Sequence, residues 1–326
     1  MKKRKIFLII FFFIALIILG ILTYFLFIRS WVLSSAQRYL VVGESYLEKN
    51  QLSEALKSFK KAEALDSNNS QIHLRLGEIY LQANQFDKAE EEFRQTTRLD
   101  PKLVEGYLLG GGIYLKEKDY NQAEENFKIA LNYKEDDKIY RYLGEVYLKK
   151  LDLIKASENL KRASEINSQN YEASYLLALV LLCQNSKEAS RVLSSIGFSF
   201  DQNLQKQINL AKNYGEKILK TQNEIYKKAL LSELFLKIGF FDLSLEYSQR
   251  VLRLNPQYRD GWLLSGKAHF YLGNYQEALV NFKKALPLDP VFGKTYFWLG
   301  KTYQKLDLSQ LAENNFKKAQ FLLENF

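Results

Sequence analysis

Small and large apolar residues recur with a period of 34 over most of this chain. In the last copy, residues 293–326, they fill window positions 4, 7, 8, 11, 20, 24 and 27, which are Tyr296, Leu299, Gly300, Tyr303, Ala312, Phe316 and Ala319. Steps of three and four residues place such positions on one face of a helix, so each window predicts two amphipathic helices. One helix pair cannot cover its own apolar face, so neighbouring pairs are expected to stack into a continuous core.

The period divides the chain into eight units, five before an irregular stretch and three after it. The first block, residues 36–196, comprises 36–69, 70–103, 104–136, 137–170 and a degenerate fifth unit that begins at Tyr171. Register is lost over residues 197–224, where Ile208, Ala211, Tyr214 and Ile218 predict one extra amphipathic helix. The second block, residues 225–326, comprises 225–258, 259–292 and 293–326.

The recurring residues also follow a known repeat signature. The last window reads Y-x2-L-G-x2-Y followed by A-x3-F, with Tyr296 where the signature W-x2-L-G-x2-Y has Trp. Pro101, Pro256 and Pro290 close earlier windows. In this respect the chain resembles the tetratricopeptide repeat (TPR) family, whose repeats are 34 residues long. The resemblance implies an all-α fold, a superhelical solenoid of helix pairs.

The N-terminus has a different composition. A basic tail, residues 1–5, precedes residues 6–28, which carry no charge. At a rise of about 1.5 Å per residue, this stretch is long enough to cross a hydrocarbon core of about 30 Å. A cleaved signal peptide is the alternative, although its apolar region usually has about 7–15 residues. No cysteine follows the apolar run, which excludes a lipoprotein. We therefore predict a single transmembrane helix that acts as a signal anchor.

The distribution of cations predicts the orientation of this helix. Four cations precede the span, and only Arg29 and Arg38 follow it closely. The positive-inside rule therefore keeps residues 1–5 in the cytoplasm and places the repeats outside the inner membrane. The reverse orientation would resemble organelle import receptors, which carry TPRs on the cytosolic side.

Net charge and reactive residues narrow the function classes. The net charge is +9, and residues 1–35 supply five of those charges without any acid, which leaves +4 for the repeats. So small a surplus predicts no nucleic-acid partner. Cys183 is the only cysteine, and both His73 and His269 fall at packing positions of the repeat. Because no phosphate loop, metal-spaced set or activated nucleophile is found, the sequence predicts no enzyme, no cofactor and no metal site.

The resemblance also implies a binding surface, because TPR proteins bind peptides or helices on the concave face formed by the first helix of each repeat. The corresponding positions here are Glu44, Glu78, Leu108, Leu109, Gly112, Arg141, Tyr142, Glu145, Tyr175, Leu179, Lys267, Lys294, Trp298 and Lys301. This groove is expected to be acidic near the membrane, apolar in the middle and basic at its far end. The alternative is a solvated helix face with a chance gradient of charge.

Two details of that surface bear on its partners. Gly112, the third of three consecutive glycines, is expected to dent the groove and offer a pocket, although tolerated drift explains it equally well. Family members that grip acidic C-terminal tails use Lys or Arg with Asn at fixed positions. Here Arg141 is followed by Glu145, and Leu176 replaces the second Asn, so this type of receptor is not expected.

The sequence thus predicts a membrane-anchored scaffold that binds proteins or peptides in the TPR groove and serves envelope assembly, secretion or protein maturation in bacteria. One alternative is a structural subunit of a stable membrane complex that docks, or self-associates, through its last helix. That helix carries the apolar residues Phe321, Leu322, Leu323 and Phe326. The other alternative is the organelle-type import receptor.

Overall fold

The computed structural model describes residues 2–197, 199 and 201–325, and in this part of the chain it contains helices and no strand. The all-α prediction is therefore confirmed. The chain divides into two compact units, the first ending at Glu135 and the second beginning at Asp136.

In both units, successive helices pack as antiparallel pairs, and each pair packs against the next. The helices of the first unit are α1 (Lys2–Glu48), α2 (Leu52–Leu65), α3 (Ser70–Gln82), α4 (Phe86–Leu99), α5 (Val104–Glu117) and α6 (Tyr120–Tyr133). Those of the second unit are α7 (Asp137–Lys149), α8 (Leu153–Ile166), α9 (Tyr171–Cys183), α10 (Glu188–Ser195), α11 (Gln202–Lys220), α12 (Glu224–Lys237), α13 (Phe241–Leu254), α14 (Arg259–Tyr271), α15 (Tyr275–Ala285), α16 (Gly293–Lys305) and α17 (Ser309–Asn325).

The turn inside each helix pair contains one residue with a positive φ angle. These residues are Asn50, Asn84, Lys118, Leu151, Asn185, Gly239, Gly273 and Asp307. Successive turns lie 34, 34, 33, 34, 54, 34 and 34 residues apart. The turns therefore follow the period of the sequence, with twenty additional residues between the fifth and the sixth. Helix α11 occupies most of that additional stretch.

The first helix combines two roles. Its N-terminal part is apolar and exposed, with Phe25 at 69% exposure, and it is the one helix in the described residues that is long and apolar enough to cross a membrane. Its C-terminal part is the first helix of the first pair, where Gly43 faces the ring of Phe59. The backbone passes from one part to the other without leaving the helix.

Close contact within the pairs depends on a glycine that faces a large residue sixteen positions later. A Cβ added at Gly43, Gly111, Gly266 or Gly300 would lie less than 3.0 Å from the ring of Phe59, Phe127, Phe282 or Phe316, respectively. Gly144 faces Leu160 in the same way. The aromatic ring fills the space that the missing side chain leaves, which is why these two positions recur together.

The second repeat departs from this arrangement and thereby explains one of the three consecutive glycines. Gly77 faces Leu109 of the next repeat, and the ring of Phe93 lies against Gly110. A Cβ on Gly110 would lie 2.7 Å from Phe93 and 2.8 Å from Asn126 Oδ1. A Cβ on Gly112 would meet only Leu81, at an ordinary 3.4 Å. Packing thus requires glycine at position 110 but not at position 112.

Alanine substitutions should separate these two glycines. We expect Gly110→Ala to lower the free energy of unfolding by about 1–3 kcal/mol because its methyl group overpacks the contact with Phe93. Gly112→Ala should raise it by about 0.5–1 kcal/mol because alanine favours the helix and meets no obstacle. Denaturant unfolding of both variants measures the difference. Equal shifts in the same direction would contradict the packing explanation.

Candidate interaction surfaces

All fourteen predicted groove residues lie on first helices of the repeats. In the first unit they are Glu44 on α1, Glu78 on α3, and Leu108, Leu109 and Gly112 on α5. In the second unit they are Arg141, Tyr142 and Glu145 on α7, Tyr175 and Leu179 on α9, Lys267 on α14, and Lys294, Trp298 and Lys301 on α16.

Three of these residues belong to the core and offer almost no surface to a partner. Leu109, Tyr175 and Leu179 are 5%, 2% and 0% exposed, respectively. The first helices pack directly against one another, α3 against α5 and α7 against α9, and these side chains fill the space between them. Their assignment to a binding surface is therefore corrected. Leu108 and Gly112 remain half-buried.

The acidic end of the predicted gradient is partly neutralised within the first unit. Arg75 on α3 donates from Nε to Glu44 at 2.6 Å and from Nη1 to Glu78 at 2.9 Å. The two carboxylates thus share one guanidinium, which offsets one of their two negative charges. The sequence analysis did not include Arg75 among the predicted groove residues, although it lies on α3 three residues before Glu78.

Arg141 is also engaged in ion pairs within its own unit. It is 7% exposed, and Nη1 lies 3.7 Å from Glu145 and 3.4 Å from Glu172. Its guanidinium stacks 3.8 Å from the centre of the Tyr142 ring. The predicted residues Arg141, Tyr142 and Glu145 therefore form one cluster, together with Glu172.

A cavity of about 270 Å³ adjoins this cluster, and three carboxylates line it, those of Glu145, Glu172 and Asp201. Asp201 accepts hydrogen bonds from the backbone N–H groups of Asn203 and Leu204 and so caps α11. Tyr175 also lines the cavity, and its buried hydroxyl has no hydrogen-bond partner among the described residues. Burial raises the pKa of Tyr175, so the hydroxyl is protonated at neutral pH.

The last repeats bring the remaining predicted residues together. We call Lys267, Lys294, Trp298 and Lys301 the Lys–Trp face. The Lys267 and Lys301 ammonium groups lie 5.4 Å and 5.3 Å from the centre of the Trp298 ring, within the range of a cation–π contact. Lys294 lies 5.8 Å from the ring centre of Phe292. Throughout the described residues, no carboxylate approaches these three ammonium groups within 4.0 Å.

A cavity of about 450 Å³ opens beside the Lys–Trp face. Its polar lining includes Glu233, Arg259, Asp260, Lys267 and Lys294. Arg259 is already paired with Asp260 and Asp289, so it adds little free charge. Burial lowers the pKa of Lys267; the charge of Glu233 opposes this shift, and the charge of Lys294 adds to it. The surplus of positive charge at this cavity therefore comes from the lysines.

A buried ion network lies within the first unit, between α2, α3 and α4. His73 is 5% exposed, with Nδ1 at 2.7 Å from Glu92 and Nε2 at 3.0 Å from the Ser67 carbonyl oxygen. Lys60 lies 2.9 Å from Glu63 and 3.5 Å from Glu92. The hydrogen bond to Glu92 is the main cause of a raised His73 pKa.

Glu63, His73 and Glu92 place potential metal-ligand atoms within 4.8 Å of one another. However, Lys60 already supplies a cation to both carboxylates, and both ring nitrogens of His73 have hydrogen-bond partners. The cluster is therefore explained as a structural ion network, which the sequence interpretation did not anticipate.

Comparison with known proteins identifies the repeats. Family models described as "Tetratricopeptide repeat" and "TPR repeat" match residues 46–106 and 266–307, respectively. Similar solved structures include YrrB, a TPR protein with an unusual peptide-binding site, at 18% identity over 71% of this chain and 92% of that one, with a TM-score of 0.36. They also include pilF of Pseudomonas aeruginosa, at 18% identity over 70% and 95% with a TM-score of 0.45. A third is a tetratricopeptide repeat protein of Parabacteroides merdae, at 15% identity over 82% and 99% with a TM-score of 0.46.

The segment 266–307 contains the glycine–aromatic pair Gly266 and Phe282, and the segment 46–106 contains Phe59, the aromatic partner of Gly43. Both matched segments are tetratricopeptide repeats, and together with the helical fold they support a TPR family protein.

Proposed function

We propose that this protein is a membrane-anchored scaffold that binds extended segments of other proteins on its Lys–Trp face. Its fold supports protein–protein interaction, and the family is generally non-catalytic. The observation that carries the proposal is the set of three lysines, Lys267, Lys294 and Lys301, that have no carboxylate within 4.0 Å among the described residues. Elsewhere on first helices, Glu44, Glu78 and Arg141 are compensated internally.

The chemistry of this face specifies the partner. Like charges on Lys267 and Lys294 disfavour each other, and carboxylates from a partner would relieve that cost. Trp298 supplies an apolar surface between Lys267 and Lys301, on which an aromatic or aliphatic side chain can pack. The preferred partner is therefore a segment that combines acidic residues with an apolar anchor.

The N-terminal helix supports the membrane part of the proposal. Residues 6–28 would span the inner membrane, with residues 1–5 in the cytoplasm and the repeats outside it. Anchoring confines scaffold and client near one surface and raises their effective concentration. A role in envelope assembly, secretion or maturation of exported proteins fits that location. Proteolysis that reaches the repeats in intact cytoplasm-side-out vesicles would instead favour the import-receptor topology.

Site-specific photo-crosslinking tests the binding face. A crosslinker at the exposed position Lys294 should capture a defined set of proteins, whereas one at the exposed position Asn314 on α17 should not. Capture at Lys294 should fall several-fold in a Lys267→Gln, Lys301→Gln background and at high salt, because screening weakens exposed charge pairs. Equal capture at both positions would contradict a specific face.

The C-terminal helix supports a second candidate function, that of a structural subunit. Phe321 and Leu323 on α17 are 56% and 57% exposed, while Leu322 between them is 3% exposed and packs inward. Phe326, the other predicted contact residue, lies outside the described residues. A crosslinker at Leu323 that captures one partner in constant stoichiometry, while Lys294 captures nothing, would replace the scaffold proposal with this one.

A further inference from the structure

Helices α1 and α2 form a cleft of about 700 Å³ just after the apolar part of α1. Its lining includes Trp31, Arg38, Tyr39 and Val42 on α1 and Lys61 and Leu65 on α2. The α1 residues are spaced so that they share one face of the helix. The cleft lies entirely within the first unit and is separate from the Lys–Trp face.

The walls of this cleft combine apolar surface with two free cations. Trp31 and Val42 are 59% and 43% exposed. Arg38 donates to the Ser35 hydroxyl at 2.9 Å, and Lys61 lies 5.4 Å from the ring centre of Tyr39. Neither cation has a carboxylate within 4.0 Å in the part of the chain that the structure describes. Such a surface suits an amphiphile with an anionic head.

The position of the cleft along α1 specifies which amphiphile that is. The hydrogen bond to Ser35 draws the Arg38 guanidinium back toward the N-terminus of α1, to the level of Ser35. Ser35 lies seven residues beyond Ile28, the end of the predicted span, which corresponds to about 10 Å along the helix. The headgroup layer is about 5–7 Å thick on each side, so this level lies about 3–5 Å beyond its outer edge in an untilted helix. A tilt of about 40° would shorten the 10 Å to about 8 Å.

We propose that this cleft binds an anionic phospholipid, with the phosphate between Arg38 and Lys61 and the start of an acyl chain against Trp31. The inference rests on the proposed membrane anchoring of residues 6–28. It assigns the cleft to lipid rather than to protein, because Arg38 lies next to the headgroup layer and the apolar wall of the cleft continues into the exposed apolar surface of α1. Trp31 and Tyr39 are residue types that favour the membrane interface.

Native mass spectrometry of the full chain tests this site. The protein is placed in nanodiscs of equal amounts of phosphatidylglycerol and phosphatidylcholine, and the lipid that it retains on release is identified. We expect the unmodified chain to retain phosphatidylglycerol in about tenfold excess, because each cation at the membrane surface favours anionic lipid. The variant Arg38→Gln with Lys61→Gln should lose this preference.

A matched control removes the same charge elsewhere in the first unit. Lys49→Gln with Lys102→Gln changes two exposed lysines outside the cleft and should keep the preference. Equal loss in both double variants would overturn the site, since net charge alone would then explain it. Inorganic phosphate that displaces the lipid at equal concentration would also overturn it, in favour of a soluble phosphate ligand.

Alkaline carbonate extraction separates this proposal from the anchoring on which it rests. If carbonate releases the full chain from membranes, the anchor proposal fails, and the lipid site fails with it. If the chain stays in the membrane fraction but retains both lipids equally, the lipid site alone is wrong.

Discussion

Replacing Phe282 with alanine is expected to lower the free energy of unfolding of the second unit by about 3–5 kcal/mol. The ring is 0% exposed and fills the space above Gly266. It also stacks on Trp298, with ring centres 6.1 Å apart. Because Gly266 has no side chain that could move into the vacated space, the loss of the ring leaves a cavity that the surrounding helices cannot readily close.

Phe321→Ala provides the control because it removes the same ring from a side chain that is 56% exposed. That change should cost less than about 0.5 kcal/mol. Denaturant unfolding of the full chain in detergent, followed by tryptophan fluorescence, measures both variants, since Trp262 and Trp298 report on the last repeats. Similar costs for the two variants would refute the role assigned to the glycine–aromatic contact.

His73→Asn is expected to lower the free energy of unfolding by about 1.5–3 kcal/mol at pH 6 and by much less at pH 9. Both ring nitrogens face acceptors, Glu92 and the Ser67 carbonyl, so only the protonated ring can donate to both. The hydrogen bond to Glu92 raises the pKa of His73 above its ordinary value of 6.5. Its stabilising contribution is therefore complete below the unfolded-state pKa and is lost as the pH rises through the folded-state pKa.

The measurement is the difference between wild type and variant across that pH range, which cancels the titration of other groups. Glu63 and Lys60 on α2 and Glu92 on α4 are the charged groups around this ring. His269→Asn is the control, and we expect the opposite pH dependence for it, because burial lowers the pKa of His269. Its contribution is present above the unfolded-state pKa and is lost as the pH falls. A His73 difference that does not change with pH would mean that the ring is not protonated in the fold.

The helix pairs were predictable from the sequence because they depend on residues that have one structural role, the close packing of two helices. A glycine facing a ring sixteen positions later requires two closely packed helices, and this pairing recurs from Gly43 and Phe59 to Gly300 and Phe316. The second repeat has the same residue types at the same spacing, Gly77 and Phe93. However, Phe93 packs against Gly110 instead of Gly77. The period determines which residues face the neighbouring helices, but it does not determine which neighbour each of them touches.

The predicted binding surface was less accurate because position in the repeat does not determine burial. Leu179 and Tyr175 lie on α9, whose residues Tyr171–Cys183 are apolar on nearly every side. A helix that is apolar all round is usually buried, so this signal was available in the sequence. The pairing of Arg75 with Glu78, three residues later on the same helix, could have been predicted from the sequence. The bond from Arg75 to Glu44 could not, because it depends on the contact between α1 and α3 across 31 residues. The groove residues that remain accessible stay a prediction.

Helix α1 has one consequence for mechanics. Its 47 residues correspond to about 70 Å of unbroken helix, and its last turns are part of the first repeat. Because no hinge separates the apolar segment from that repeat, the two are expected to move as one rigid body. In a bilayer, a change in thickness that tilts the apolar segment would tilt α2 by the same angle. A change in bilayer thickness would then change the orientation of the first repeat.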